Sequence, residues 1–113
     1  MTARTPRLGI TMGDPAGVGP EITAKALARP DVVATCRPVV IGDGAIMATT
    51  LEILKSPLGL HVVRAVGDCA FAPGTLECLD LANVDAAALP RAAVSAEAGR
   101  AAYAYIERAV RLC

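Results

Sequence analysis

Arg7-Leu-Gly-Ile-Thr-Met-Gly-Asp-Pro-Ala-Gly-Val-Gly-Pro-Glu-Ile22 is the stretch on which the reading of this chain turns. Residues 7–12 form a short apolar run, expected as a buried strand, and residues 13–20 are a glycine/proline cluster that must turn. Pro20 suits the first turn of a helix, where its missing N–H costs nothing. Glu21 in the same turn complements the helix dipole. Strand, glycine loop and helix in that order open an α/β unit. In open parallel sheets, ligands occupy the crevice beyond the strand's C-terminal end, and free N–H groups at the following helix favour an anion.

The spacing of the glycines narrows the chemistry. Val18 stands where a nucleotide-triphosphate P-loop needs its second glycine, and no Lys-Ser or Lys-Thr follows. Glycines at 13, 17 and 19 do not make the G-x-G-x-x-G of a standard dinucleotide fold, and Asp14 would repel a pyrophosphate lodged against it. On spacing alone the loop reads equally well as a structural strand-to-helix turn.

Outward from the loop, the alternation continues. Ile22, Ala26 and Arg29 outline a short helix that Pro30 stops. Residues 37–41 predict a second strand, followed after Gly42-Asp43-Gly44 by a helix to about Lys55 with Ile46, Thr50, Ile53 and Leu54 as its apolar stripe. Asp43 is placed to cap that helix. Residues 60–66 predict a third strand, residues 75–81 a fourth, and residues 83–90 a loop or short helical turn. From Ser95, a cap, a final helix carries Glu97, Arg100, Glu107, Arg108 and Arg111 on one face and Ala98, Ala102, Tyr105, Ile106, Ala109 and Val110 on the other. Glu107 and Arg111 stand in the favourable i,i+4 order. A helix running to the last residue, Cys113, reads as cut rather than finished. Strands alternating with helices imply a three-layer α/β unit with a mostly parallel sheet.

Composition excludes several classes. Eleven basic and 11 acidic residues give a net charge of +0 without a basic run, which argues against nucleic acid and anionic membrane as partners. The aromatics are only Phe71, Tyr103 and Tyr105, too few for base-stacking platforms. Alanine, 23 of 113 residues, favours thin helices packed closely. The first apolar run is too short for a signal-peptide core and no 18-residue apolar span exists, so a cytoplasmic location is expected. Cys36, Cys69, Cys78 and Cys113 form no C-x-x-C pair and read as reduced, mostly buried thiols. His61, the one histidine, reads as an ordinary strand residue, and Lys25, Arg29 and Lys55 as solvated helix charges.

The opening stretch resembles the start of the 4-hydroxythreonine-4-phosphate dehydrogenase family, which includes relatives acting on 4-phosphorylated threonate and erythronate. Val39-Val-Ile-Gly-Asp43, Phe71-Ala-Pro-Gly74 and Ser95-Ala-Glu-Ala-Gly-Arg-Ala-Ala-Tyr103 share the likeness, so it runs from Leu8 to Cys113. The resemblance implies part of an isocitrate/isopropylmalate dehydrogenase-like fold in a two-domain homodimer. It implies oxidation of a secondary hydroxyl by NAD or NADP, with decarboxylation of the β-keto product. It also implies a divalent metal (zinc, magnesium or cobalt) held by three histidines, acting as a Lewis acid, and a small phosphorylated substrate. In the best-known case the product feeds pyridoxal phosphate synthesis. By the same analogy Gly13, Asp14, Gly17 and Gly19 would border the cleft for the nicotinamide cofactor.

The chain departs from the family in length and in histidine. Family members are roughly three times longer, enough for two domains, and their metal and phosphate ligands lie in later segments. One histidine cannot supply a three-histidine site. Residues 1–113 are therefore expected to be the N-terminal portion of such an enzyme, inactive alone and without catalytic or metal-binding residues of its own. A non-catalytic α/β binding module derived from the family is the alternative.

Overall fold

In a computed structural model, which describes residues 5–84 and 95–113, the chain forms a four-stranded sheet in the order β1-β2-β4-β3 with every neighbouring pair parallel. The elements are β1 (Arg7–Thr11), α1 (Gly19–Leu27), α2 (Pro30–Val33), β2 (Arg37–Gly42), α3 (Gly44–Ile53), β3 (Gly59–Val63), a 3-10 turn (Val66–Asp68), β4 (Thr75–Asp80) and α4 (Ala96–Leu112). All four expected strands are present. The expected loop at residues 83–90 lies mostly outside the described residues.

The central strands are buried on both faces, as a parallel sheet requires. Val39, Val40 and Ile41 of β2 and Leu76, Cys78 and Leu79 of β4 are all buried. α1 and α3 pack against each other over one face, while α4 packs against β1 and β2 and takes the other. Val62 of β3 lies on the α3 side, because it touches the place where a Gly44 Cβ would stand. Strand alternation then turns His61 and its register partner Glu77 to the opposite side.

Three helix faces differ from expectation. Ile22 is solvent-exposed, and α1 instead buries Thr23, Ala24 and Leu27. Small residues let α1 approach α3 closely, so packing selects this narrower face over the more hydrophobic one. α3 buries Ile46, Met47, Thr50 and Leu51 but leaves Ile53 outside. α4 buries Ala98, Ala101 and Tyr105, and the Tyr105 hydroxyl donates to Asn83 Oδ1 at 3.2 Å. Its Ile106 and Val110 are exposed, in line with Tyr103 at i, i+3, i+7. Pro30 does stop α1, and it also opens the one-turn α2, because proline is suited to the first position of a new helix.

Caps set two of the entries. Asp43 Oδ1 accepts the Ile46 N–H at 3.0 Å, and Ser95 Oγ accepts the Ala98 N–H at 3.1 Å.

Candidate functional site

The glycine loop leaves the C-terminal end of β1 and returns as α1. Met12 is buried, and its N–H donates to the Ile41 carbonyl at 3.0 Å, carrying the sheet ladder one residue past β1. Gly13 turns the chain with φ +81°, a region that disfavours any residue with a Cβ. Asp14 then fixes the bend: its Oδ1 accepts the Ala16 N–H at 2.8 Å, and its carbonyl accepts the Gly17 N–H at 3.0 Å. Pro15 and Ala16 are buried beneath, leaving Gly17 and Val18 as an exposed crest. Gly19 passes under the Met12 carbonyl so closely that a Cβ there would lie 2.2 Å from the oxygen. The four residues named from sequence thus come together in one loop. Gly13 and Gly19 close it, Asp14 braces it, and Gly17 forms its crest.

The crest has a definite chemical character. Val18 is 68% exposed and Ile22, one turn on, is 60% exposed. Glu21 lies between them in the first turn of α1, and residues 12–20 contain no lysine or arginine. The acidic groups offset the attraction of the helix N-terminus for phosphate. Exposed backbone flanked by apolar side chains and acidic groups suits a flat ring better than a phosphate.

Beside the loop, the ends of β2 and β4 are tied together by an aspartate that the sequence did not single out. Asp80 Oδ1 accepts the Gly44 N–H at 3.1 Å and the Ala82 N–H at 2.8 Å, and Arg64 lies 4.0 Å from its other oxygen. Only the register, which sets Gly42 beside Asp80, makes that role visible. Asp43 takes the capping role expected of it.

The remaining titratable groups are distributed away from the loop. His61 Nδ1 is 2.6 Å from Glu77 Oε1, and Glu77 Oε2 accepts the N–H groups of Ala70 (3.1 Å) and Phe71 (2.7 Å). The Glu77 side chain is 1% exposed and that of His61 42%. Arg29 and Asp31 form an exposed pair that holds the Asp31 carboxyl below its usual range. Among the described residues no three His, Cys, Asp or Glu side chains gather as metal ligands would, and no helix is long and apolar enough to cross a membrane.

Burial pushes the Cys78 thiol up to about 12, with the Asp80 and Asp43 charges adding to it. Burial and then the Glu77 charge push Cys69 up to about 11. Both values exceed the 9.0 of a free thiol, so the folded chain keeps protons that the unfolded chain releases. The stability they contribute is complete below pH 9 and is lost progressively as the pH rises toward 11 and then 12. Thermal melts across this range are expected to show the midpoint falling above pH 9, with a shallower fall in Cys78→Ala.

No family model matches the chain. The D-threonate 4-phosphate dehydrogenase of Cupriavidus necator is 45% identical over 112 residues, 99% of this chain and 33% of that protein. A Symbiobacterium thermophilum protein provisionally given the same name is 48% identical over 107 residues, 95% of this chain and 32% of that protein. Among solved structures, a 4-hydroxythreonine-4-phosphate dehydrogenase from Burkholderia phymatum superposes with a TM-score of 0.91 at 41% identity, over 97% of this chain and 33% of its own. The chain therefore spans about one third of the length of the relatives it matches, and nearly all of it is matched.

Proposed function

We propose that this chain is the N-terminal third of an NAD(P)-dependent dehydrogenase that oxidises the secondary hydroxyl of a four-carbon 4-phosphorylated hydroxy acid, with decarboxylation of the β-keto product. The observation that carries the reading is the match to D-threonate 4-phosphate and 4-hydroxythreonine-4-phosphate dehydrogenases along almost the entire chain. D-threonate 4-phosphate is the preferred substrate, because the curated relatives at 45% and 48% identity both bear that name.

Within the chain, the loop at Gly13, Asp14, Gly17 and Gly19 is the part assigned to the cofactor. Its exposed crest and the Val18 and Ile22 side chains suit the nicotinamide end of a dinucleotide better than its phosphates. A bound nicotinamide would supply the acceptor for the substrate's hydride. The residues here would bind and shield: Val18 and Ile22 would keep water from a ring bound at the crest, and the Asp14 turn holds the crest in place. Asp14 is already committed to the Ala16 N–H and is assigned no proton transfer.

The described residues do not fit a divalent metal. The single histidine is paired with Glu77, and among the described residues no third ligand gathers with the pair. The metal ligands and the groups that grip the substrate phosphate are accordingly assigned to the part of the enzyme outside this chain. In this reading the full-length enzyme is a homodimer that works in the cytoplasm.

The test is the full-length enzyme incubated with a divalent metal, NAD or NADP, and either D-threonate 4-phosphate or 4-hydroxythreonine 4-phosphate. Nucleotide reduction is expected with at least one substrate, faster with the threonate. Absence of reduction with both, in a folded protein, would overturn the reading.

A further inference from the structure

We propose that the start of the sheet carries a second ligand site, for a small organic anion with an apolar body. It lies at the opposite end of the strands from the glycine loop, about 16 Å away along a five-residue strand.

The site is built around Phe71. This residue has φ 52°, a left-handed conformation that is an outlier for a bulky side chain. Glu77 holds it there. Its Oε2 accepts both the Ala70 and Phe71 N–H groups, while His61 occupies Oε1. The ring held by this brace meets two cations. The register of β1 and β2 sets Arg7 beside Arg37, and their guanidinium carbons lie 5.9 and 5.7 Å from the Phe71 ring centroid. Both distances are within cation–π range. Among the described residues neither guanidinium is paired with a carboxylate. Two like charges are thus brought over one ring.

Arg37 and Phe71 also line a cavity of about 630 Å³, walled by Leu27, Cys36, Pro38 and Leu58. That volume falls in the range of small-molecule sites, and so does the pattern of apolar walls with a few placed polar groups. Glu77 borders the same cavity, but both its oxygens are occupied by inward hydrogen bonds. The apolar walls call for a hydrocarbon or aromatic body, and Arg37 for a carboxylate or phosphate at its end. A strained, braced aromatic beside unpaired arginines is a site organised before its ligand arrives.

The probe is 2-naphthoate, titrated into the full-length protein and followed by amide chemical shifts, with 2-naphthalenemethanol as the neutral counterpart and acetate as the bare anion. Saturable shifts are expected at Arg37, Phe71 and their neighbours. The alcohol and acetate are each expected to bind about tenfold more weakly, or less. Arg37→Gln is expected to weaken naphthoate about tenfold, Arg37→Lys less, and Arg100→Gln on α4 not at all. Each variant's own amide spectrum reports whether it is folded. Three results would overturn the proposal: no saturable naphthoate binding, equal binding of the alcohol, or undiminished binding to a folded Arg37→Gln. Shifts confined to residues 13–19 would overturn it too. The dehydrogenase reading survives each of these outcomes, because it rests on the match along almost the entire chain.

Discussion

Gly19→Ala is expected to destabilise the chain by about 3 kcal/mol or more, the upper end of what forced overpacking costs. The new Cβ would lie 2.2 Å from the Met12 carbonyl oxygen, which is backbone and cannot rotate aside. Relief would require the β1 end and the α1 start to separate. Met12, which is buried and whose N–H is bonded to Ile41, would move with them. Gly99→Ala is the matching control. It lies inside α4 with nothing within 4 Å of its Cβ, so it is expected to stabilise by about 1 kcal/mol through helix propensity alone. Urea midpoints of the two variants, measured beside the parent, check both signs. A Gly19→Ala midpoint equal to the parent's would mean that the loop does not pass under Met12. The same variant tests the assignment of the loop, because the displaced crest is expected to weaken nicotinamide binding in the full-length enzyme.

Glu77→Ala is expected to cost about 3 kcal/mol, the scale of breaking one side of a buried pair. Three donors or acceptors lose their partner at once: His61 Nδ1 and the N–H groups of Ala70 and Phe71. Buried polar groups left without partners account for most of such losses. Glu77→Gln keeps one carboxamide oxygen for the backbone and is expected to cost only about 1 kcal/mol. Urea denaturation ranks the two. If Glu77→Ala costs no more than Glu77→Gln, the three-way hydrogen bonding is not what holds this carboxylate in place. Loss of the brace should also free Phe71 from its left-handed conformation, visible as a shift of its amide resonance.

The two sites differ in how much of them could be read from sequence. Strands and the glycine loop were legible because their signals are local. β-branched and apolar runs bounded by Gly and Pro mark residues 7–12 and 37–41 without knowledge of any partner. Ser95 and Asp43 could be identified as caps for the same reason. The faces of the helices were not legible. Periodicity finds apolar stripes but cannot say which one meets the sheet, and Ile22, Ile53, Ile106 and Val110 all proved exposed. In α4 alone, Tyr105 lies buried while Tyr103, two residues away, faces solvent. The Glu77 network was out of reach for a different reason. Its members are brought together by the pairing of β3 with β4 and by the connection between them, 16 residues separating His61 from Glu77. Asp80 and Gly44, 36 residues apart, meet only through the register of β2 with β4.

The strand order also dictates how the molecule can assemble in time. β4, the last of the described strands in sequence, lies between β2 and β3. A nascent chain that has emerged as far as residue 74 can pair β1 with β2, but among the described strands β3 has none to join. Residues 75–80 supply the missing hydrogen-bonding partner to both sides at once. Amide protection in β3 is therefore tied to the synthesis of a single six-residue segment, and a chain interrupted just before it would carry an unpaired strand exposed to its neighbours.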